Sequence, residues 1–235
     1  TSPTLPRIVP GESAVFKSHI ALEVRILLHT GAKAFCLCQP GGSPSRASCP
    51  VCRRESGSVP SLNVAAARKA YFVARALGCS IVKDPVYERN LSTPELPEGY
   101  DLSRFSLKIG AGGGMDINFH RRRKRIRIGE IRVEEDAGRL THSGNQTRMD
   151  YSNVGAPSLR IRTEPDIEIG EEAEVFLSDL RRRIQYLEII PGVPVESVVR
   201  CNAHVAIALF PEAPTDFVKL RNLNSFNFVR KAVNA

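Results

Sequence analysis

The chain has 235 residues, 42% of them hydrophobic and 25% charged, with 33 Lys and Arg against 25 Asp and Glu for a formal charge of +8. These are the proportions of an ordinary globular protein with room for one sizeable core, and no apolar run approaches the ~20 residues of a membrane span. Positive charge, with Arg outnumbering Lys about three to one, favours an anionic partner such as RNA or a ribonucleoprotein.

The opening "TSPTLPRIVPGESAVF" is read, with residue 17, as an irregular Pro-containing segment, 1–17. It shows no signal-peptide core, so the default setting is intracellular, in the cytoplasm or the mitochondrial matrix, without a membrane partner. "HIALEVRILL" then reads as a strand leading into "FCLCQPGGSPSRASCPVC". Here Cys36, Cys38, Cys49 and Cys52 form a Cys-x-Cys and a Cys-x-x-Cys pair around a Gly/Pro/Ser loop. A metal site, disulfides and free thiols are all open to them. The spacing suits a tetrahedral Zn(II) centre closed by four thiolates, which leaves no position for substrate and is therefore structural. Cys79 and Cys201 stand apart and read as small buried apolar residues.

"SLNVAAARKAYFVARALGCS" is the clearest helix, with Asn63 able to cap its start and Gly78 fitting its C′ position. "GAGGG", Gly110–Gly114, lacks the Lys-Ser/Thr of a phosphate loop and reads as a hairpin turn between short strands. "HRRRKR" gathers Arg121, Arg122, Arg123, Lys124 and Arg125, either a solvated hairpin tip or a contact for RNA phosphates. "KRIRIGEIRV" alternates apolar and charged residues as a half-exposed antiparallel strand does. It runs into Glu134, Glu135 and Asp136, of which strand geometry lets at most two share one cation. "SLRIR" and "ESVVRCNAHVAIALF" read as strands, and "GEEAEVFLSDLRRRIQYLEII" as a helix with acids in its first turn. The fold class expected is α+β, a mostly antiparallel sheet with packed helices and a zinc knuckle.

"VEEDAGRLTH" resembles a signature segment of the B subunit of the aspartyl/glutamyl-tRNA amidotransferases, and "ALEVRILL", the two cysteine pairs, "LPEGYDLSRF", "TEPDI", "VVRCNA" and "LRNLNSFNFVRKAV" follow in the family's order. The resemblance covers about residues 18–235 and implies the family's cradle domain, with the zinc knuckle at 36–52 and the helical and tail domains lying beyond Ala235. It also implies ATP- and Mg(II)-dependent activation of a misacylated tRNA's side-chain carboxylate, with ammonia supplied by a glutaminase A subunit and a C subunit alongside. By resemblance, the ATP/Mg pocket takes Glu23, Glu134, Glu135, Asp136, His142 and Asp150. Four positions depart from the family pattern: Arg25 replaces a His, and Arg160, Asn202 and Lys219 each replace an acid. Such changes turn metal ligands into neutral or repelling groups. Two expectations follow. The first is a catalytically degenerate scaffold in a larger assembly, such as an organellar ribosome. The alternative is an active, divergent subunit forming Gln-tRNA or Asn-tRNA.

Overall fold

The computed structural model describes residues 8–10, 15–41, 49–89, 102–143, 146–190, 198–209, 212, 214, 216–223 and 225–234. The strands are β1 (Ile8–Pro10), β2 (Val15–Leu27), β3 (Ser80–Ile81), β4 (Tyr87–Arg89), β5 (Phe105–Phe119), β6 (Arg122–Glu135), β7 (Arg139–Ser143), β8 (Gln146–Asp150), β9 (Pro157–Thr163), β10 (Val199–Leu209) and β11 (Val218–Leu223). The helices are α1 (Pro50–Arg53), α2 (Val64–Ala76), α3 (Gly170–Tyr186) and α4 (Phe226–Asn234). Nine strands form one sheet in the order β11-β10-β2-β9-β6-β5-β3, with β1 beside β2 and β4 beside β5, while β7 and β8 form a separate hairpin. All the strand pairings are antiparallel. The α+β class expected from the sequence is therefore the one observed.

Period-two alternation divides the sheet into two faces. Ile20, Leu22, Val24 and Ile26 of β2 are fully buried, as are Leu159 and Ile161 of β9 and Ile131 and Val133 of β6. They face α2 and α3, whose Ala66, Ala70, Ala74, Phe176, Leu180 and Ile184 complete the core. Each fully buried Ile or Leu contributes roughly 1.5–3 kcal/mol. The intervening residues of the same strands, Glu23, Arg25, Arg160, Arg162, Glu130, Arg132 and Glu134, are charged and occupy the opposite face.

α2 starts where expected: the Asn63 side chain accepts a hydrogen bond from Ala66 N at 3.1 Å, and Gly78 has a φ of +67° just past the end. α3 ends at Tyr186, short of the "LEII" expected to continue it, with Leu187 as its C-cap.

Two expectations need correction. Gly110–Gly114 is no hairpin turn but the middle of β5. A Cβ on Gly113 would collide with Leu77 O and sit 2.5 Å from Cys79 Sγ, so the glycine lets the end of α2 lie directly on the strand. Gly114 N donates to Leu77 O at 2.8 Å across that contact. Near the N-terminus, the expected irregular segment contains β1, paired with β2 through Val9 and Phe16.

Candidate functional site

Two clusters of side chains stand out. The first is the knuckle. The Sγ atoms of Cys36, Cys38, Cys49 and Cys52 all lie within 4.8 Å of one another, a donor set that could hold a metal ion. Cys49 caps the single turn of α1 and Cys52 lies within it, while main-chain bonds from Lys33 N to Cys38 O and from Ser61 N to Phe35 O fix the other half. Phe35 anchors it in the core against Tyr87 and Phe105. Lys33, only 4% exposed, donates from Nζ to Cys52 Sγ at 3.4 Å. The hydrogen bond from the Cys36 thiol, helped by the Lys33 ammonium, brings the Cys52 thiol down to about 5. That same bond and burial push Cys36 far up. All six cysteines are unbridged, and Cys79 and Cys201 are buried, as expected. Burial pushes Cys201 up to about 12.

The second cluster lies on the charged face of the sheet, in a cleft of about 400 Å³. The pairing of β11, β10, β2, β9 and β6 brings together Glu23, Arg25, Glu134, Arg160, Asn202 and Lys219, which are scattered along the sequence. Glu23 is 4% exposed. Its Oε1 accepts from Arg25 Nε at 3.1 Å and Asn202 Nδ2 at 3.0 Å. Its Oε2 lies 3.4 Å from Lys219 Nζ and 3.9 Å from Arg160 Nη1. Burial alone would raise the Glu23 pKa, but Arg25, Lys219, Asn202 and Arg160 outweigh it and hold it at about 2. Glu134 Oε2 lies 3.4 Å from Arg25 Nη1. Its Oε1 is 2.8 Å from Arg160 Nε, a short ion pair that lacks the alignment of a hydrogen bond.

The remaining acids point elsewhere. Glu135 Oε2 accepts from Ser103 Oγ at 2.8 Å and Arg104 N at 2.9 Å, and burial raises its pKa to about 7. Asp136 lies past the end of β6, where it accepts from Gly138 N and pairs with Arg200 at 3.3 Å. Burial pushes its pKa up against that cation. Asp150 ends β8 and accepts from Ser152 N. His142 is paired with Thr147 in the β7–β8 hairpin, and its side chain is outside the described residues.

The cleft does not fit a Mg(II) ion. Every oxygen of Glu23 and Glu134 faces a cation, and the cysteine cluster is the only metal-capable grouping among the described residues. Sequence reading missed Glu130 and Arg132. Glu130 accepts from Arg160 at 2.9 Å and Arg132 at 3.0 Å, and Arg132 also reaches Glu88. Their signal was the alternation of "GEIRV", which puts both on the face that carries Glu134. Lys33 had no such signal.

The basic run is a hairpin tip, with His120 and Arg121 at positive φ between β5 and β6. Arg123 pairs with Asp116 at 2.5 Å and Arg125 with the same carboxylate at 3.6 Å, while Lys124 pairs with Glu172 at 2.8 Å. Among the described residues, Arg121 and Arg122 enter no ion pair, and both are exposed.

A family model described as the GatB/GatE catalytic domain matches residues 18–235. The chain belongs to that family. Among its relatives is the B subunit of the aspartyl/glutamyl-tRNA(Asn/Gln) amidotransferase of Pseudothermotoga lettingae, 36% identical over 231 residues, which cover 93% of this chain and 48% of the relative. The corresponding protein of an Anaeromyxobacter species is 37% identical over 227 residues, 93% of this chain and 47% of the relative. That of Campylobacter jejuni subsp. doylei is 36% identical over 226 residues, 94% and 48%. The chain thus spans about half the length of these GatB relatives. Among the described residues, no helix of this GatB-family domain is long and apolar enough to cross a membrane.

Proposed function

We propose that residues 18–235 form the catalytic-domain portion of a B-type subunit of a tRNA-dependent amidotransferase, which converts Glu-tRNA(Gln) or Asp-tRNA(Asn) to the amidated form. The observation that carries this reading is the family match over nearly the whole chain. Its partners would be a glutaminase A subunit that delivers ammonia and a C subunit, and its energy source ATP. The four cysteines take Zn(II), which closes the knuckle as a structural centre. No step is assigned to Mg(II), because Glu23 and Glu134 are held by arginines. The test is amide formation on glutamylated tRNA with ATP, Mg(II) and an ammonium salt. Glutaminyl-tRNA above a no-protein control is expected, and its absence when ammonia is free overturns the reading.

A second reading is favoured by the ion pairs themselves. Arg25 and Arg160 occupy both Glu23 and Glu134, which supports a degenerate site kept as a structural or RNA-contacting part of a larger assembly, a ribonucleoprotein such as an organellar ribosome. Under that reading amidation fails, and the native protein co-purifies with RNA that high salt releases.

A further inference from the structure

The strand register places like charges side by side across five consecutive strands. Arg200 of β10 is paired with Arg25 of β2, Arg25 with Arg160 of β9, Arg160 with Arg132 of β6, and Arg132 with Lys108 of β5. Neighbouring strands lie about 4.8 Å apart, so this cationic row runs roughly 19 Å across the sheet. Like charges directly opposite each other are unfavourable in a sheet, and such a row persists only where anions offset it. Glu23 and Glu130 in the row on one side, and Glu134 on the other, supply part of that offset. They do not supply all of it. The cleft is lined by six Arg and Lys side chains against four Glu, an excess of two positive charges. The excess sits at the rim, where Arg89 and Arg162 are exposed, beside Lys219, which shares Glu23 with the arginines.

We propose that this cleft binds a polyphosphate chain, that of a nucleoside triphosphate or of inorganic polyphosphate, directly on its guanidinium and ammonium groups and without a divalent cation. The inference rests on the nucleotide part of the amidotransferase reading and changes its chemistry. Arg presents a planar fork of N–H donors that matches phosphate oxygens two at a time. The buried carboxylates hold those forks in place before a ligand arrives, and the rim cations provide the unmatched charge that draws it in. Magnesium then acts as a competitor. It neutralises the phosphates on which the arginines depend, and a cleft with surplus positive charge gives nothing back to the ion.

The test is isothermal titration of the purified protein with tripolyphosphate and, separately, with ATP, in EDTA and again in excess magnesium. Both probes are expected to bind in EDTA, with affinity falling several-fold when magnesium is added and falling steeply with salt. Arg162→Gln combined with Lys219→Gln is expected to weaken binding at least about tenfold, two charge-assisted contacts being removed. Binding that requires magnesium overturns the inference and leaves the amidotransferase reading standing. No binding under either condition overturns both the inference and that reading's nucleotide site. Binding of ATP but not tripolyphosphate overturns recognition through the phosphate chain. The wild-type arms decide the matter without the variant, should it fail to fold.

Discussion

Arg160 reaches Glu23, Glu130 and Glu134, and Arg25 reaches Glu23 and Glu134, so two guanidinium groups hold three carboxylates on one face of the sheet. The consequence for pH follows from Glu23. Its folded pKa of about 2 lies below the ordinary value of 4.5. The native state therefore holds fewer protons on this group than the unfolded chain between those limits. Its contribution to stability, on the order of 3 kcal/mol, is fully present above about pH 5 and is lost as the pH falls toward 2. Glu23→Gln is expected to be destabilised by that order at pH 7 and to converge on the wild type near pH 2, read by urea denaturation across pH. What could be read of these residues in the sequence depended on distance. The four cysteines sit within one local stretch, and their spacing alone gave the donor set. Arg25, Arg160, Asn202 and Lys219 drew notice through the resemblance. Alternation places Glu130 beside Arg132 on that face, but its contact with Arg160, like that of Lys33 with Cys52, arises only from packing between distant segments.

Elements were legible where local chemistry and packing agree. Asn63 ends a loop and begins α2, and its side chain does two things at once. Its Oδ1 accepts from Ala66 N, and its Nδ2 donates to Thr30 Oγ1 at 3.0 Å, tying the helix start to the loop that enters the knuckle. Asn63→Ala is expected to cost about 1–2 kcal/mol in chemical denaturation, at the upper end for a cap. Asn63→Asp keeps the cap acceptor, loses the donor, and should fall between the two. The glycine run of β5 was misread for the opposite reason. Locally, five small flexible residues resemble a turn, but their role is set by Leu77 and Cys79, about 35 residues earlier in the chain. Strand pairing on both sides of β5 and a helix end lying on top fix what composition left loose.

At the scale of the whole molecule, the sheet separates its tasks by face. Alternation was readable in β6, and β2 and β9 were legible as strands, yet none of these patterns could say which charged residues of different strands would meet. The basic composition likewise resolves into distinct places: the cleft, and a hairpin tip where most cations are already paired. Only Arg121 and Arg122 at that tip are left for an outside anion among the described residues. If the protein contacts RNA there, replacing both with Gln is expected to weaken binding at physiological salt and to reduce the slope of log affinity against log salt by about two. Filter binding at several salt concentrations would measure it, and an unchanged slope would remove the tip from consideration.

The sharing of Arg25 and Arg160 among the same acids also bears on how the cleft can change over generations. Replacing either arginine alone leaves every one of these carboxylates a second cation: Glu134 keeps the other arginine, Glu130 keeps Arg132, and Glu23 keeps Lys219. Replacing both strips the buried Glu134 of its two partners, a loss of several kcal/mol. The effects of the two arginine changes are therefore expected to be strongly non-additive, the second costing far more than the first. Such sharing acts as a buffer: the cleft tolerates the loss of one guanidinium and fails at the second.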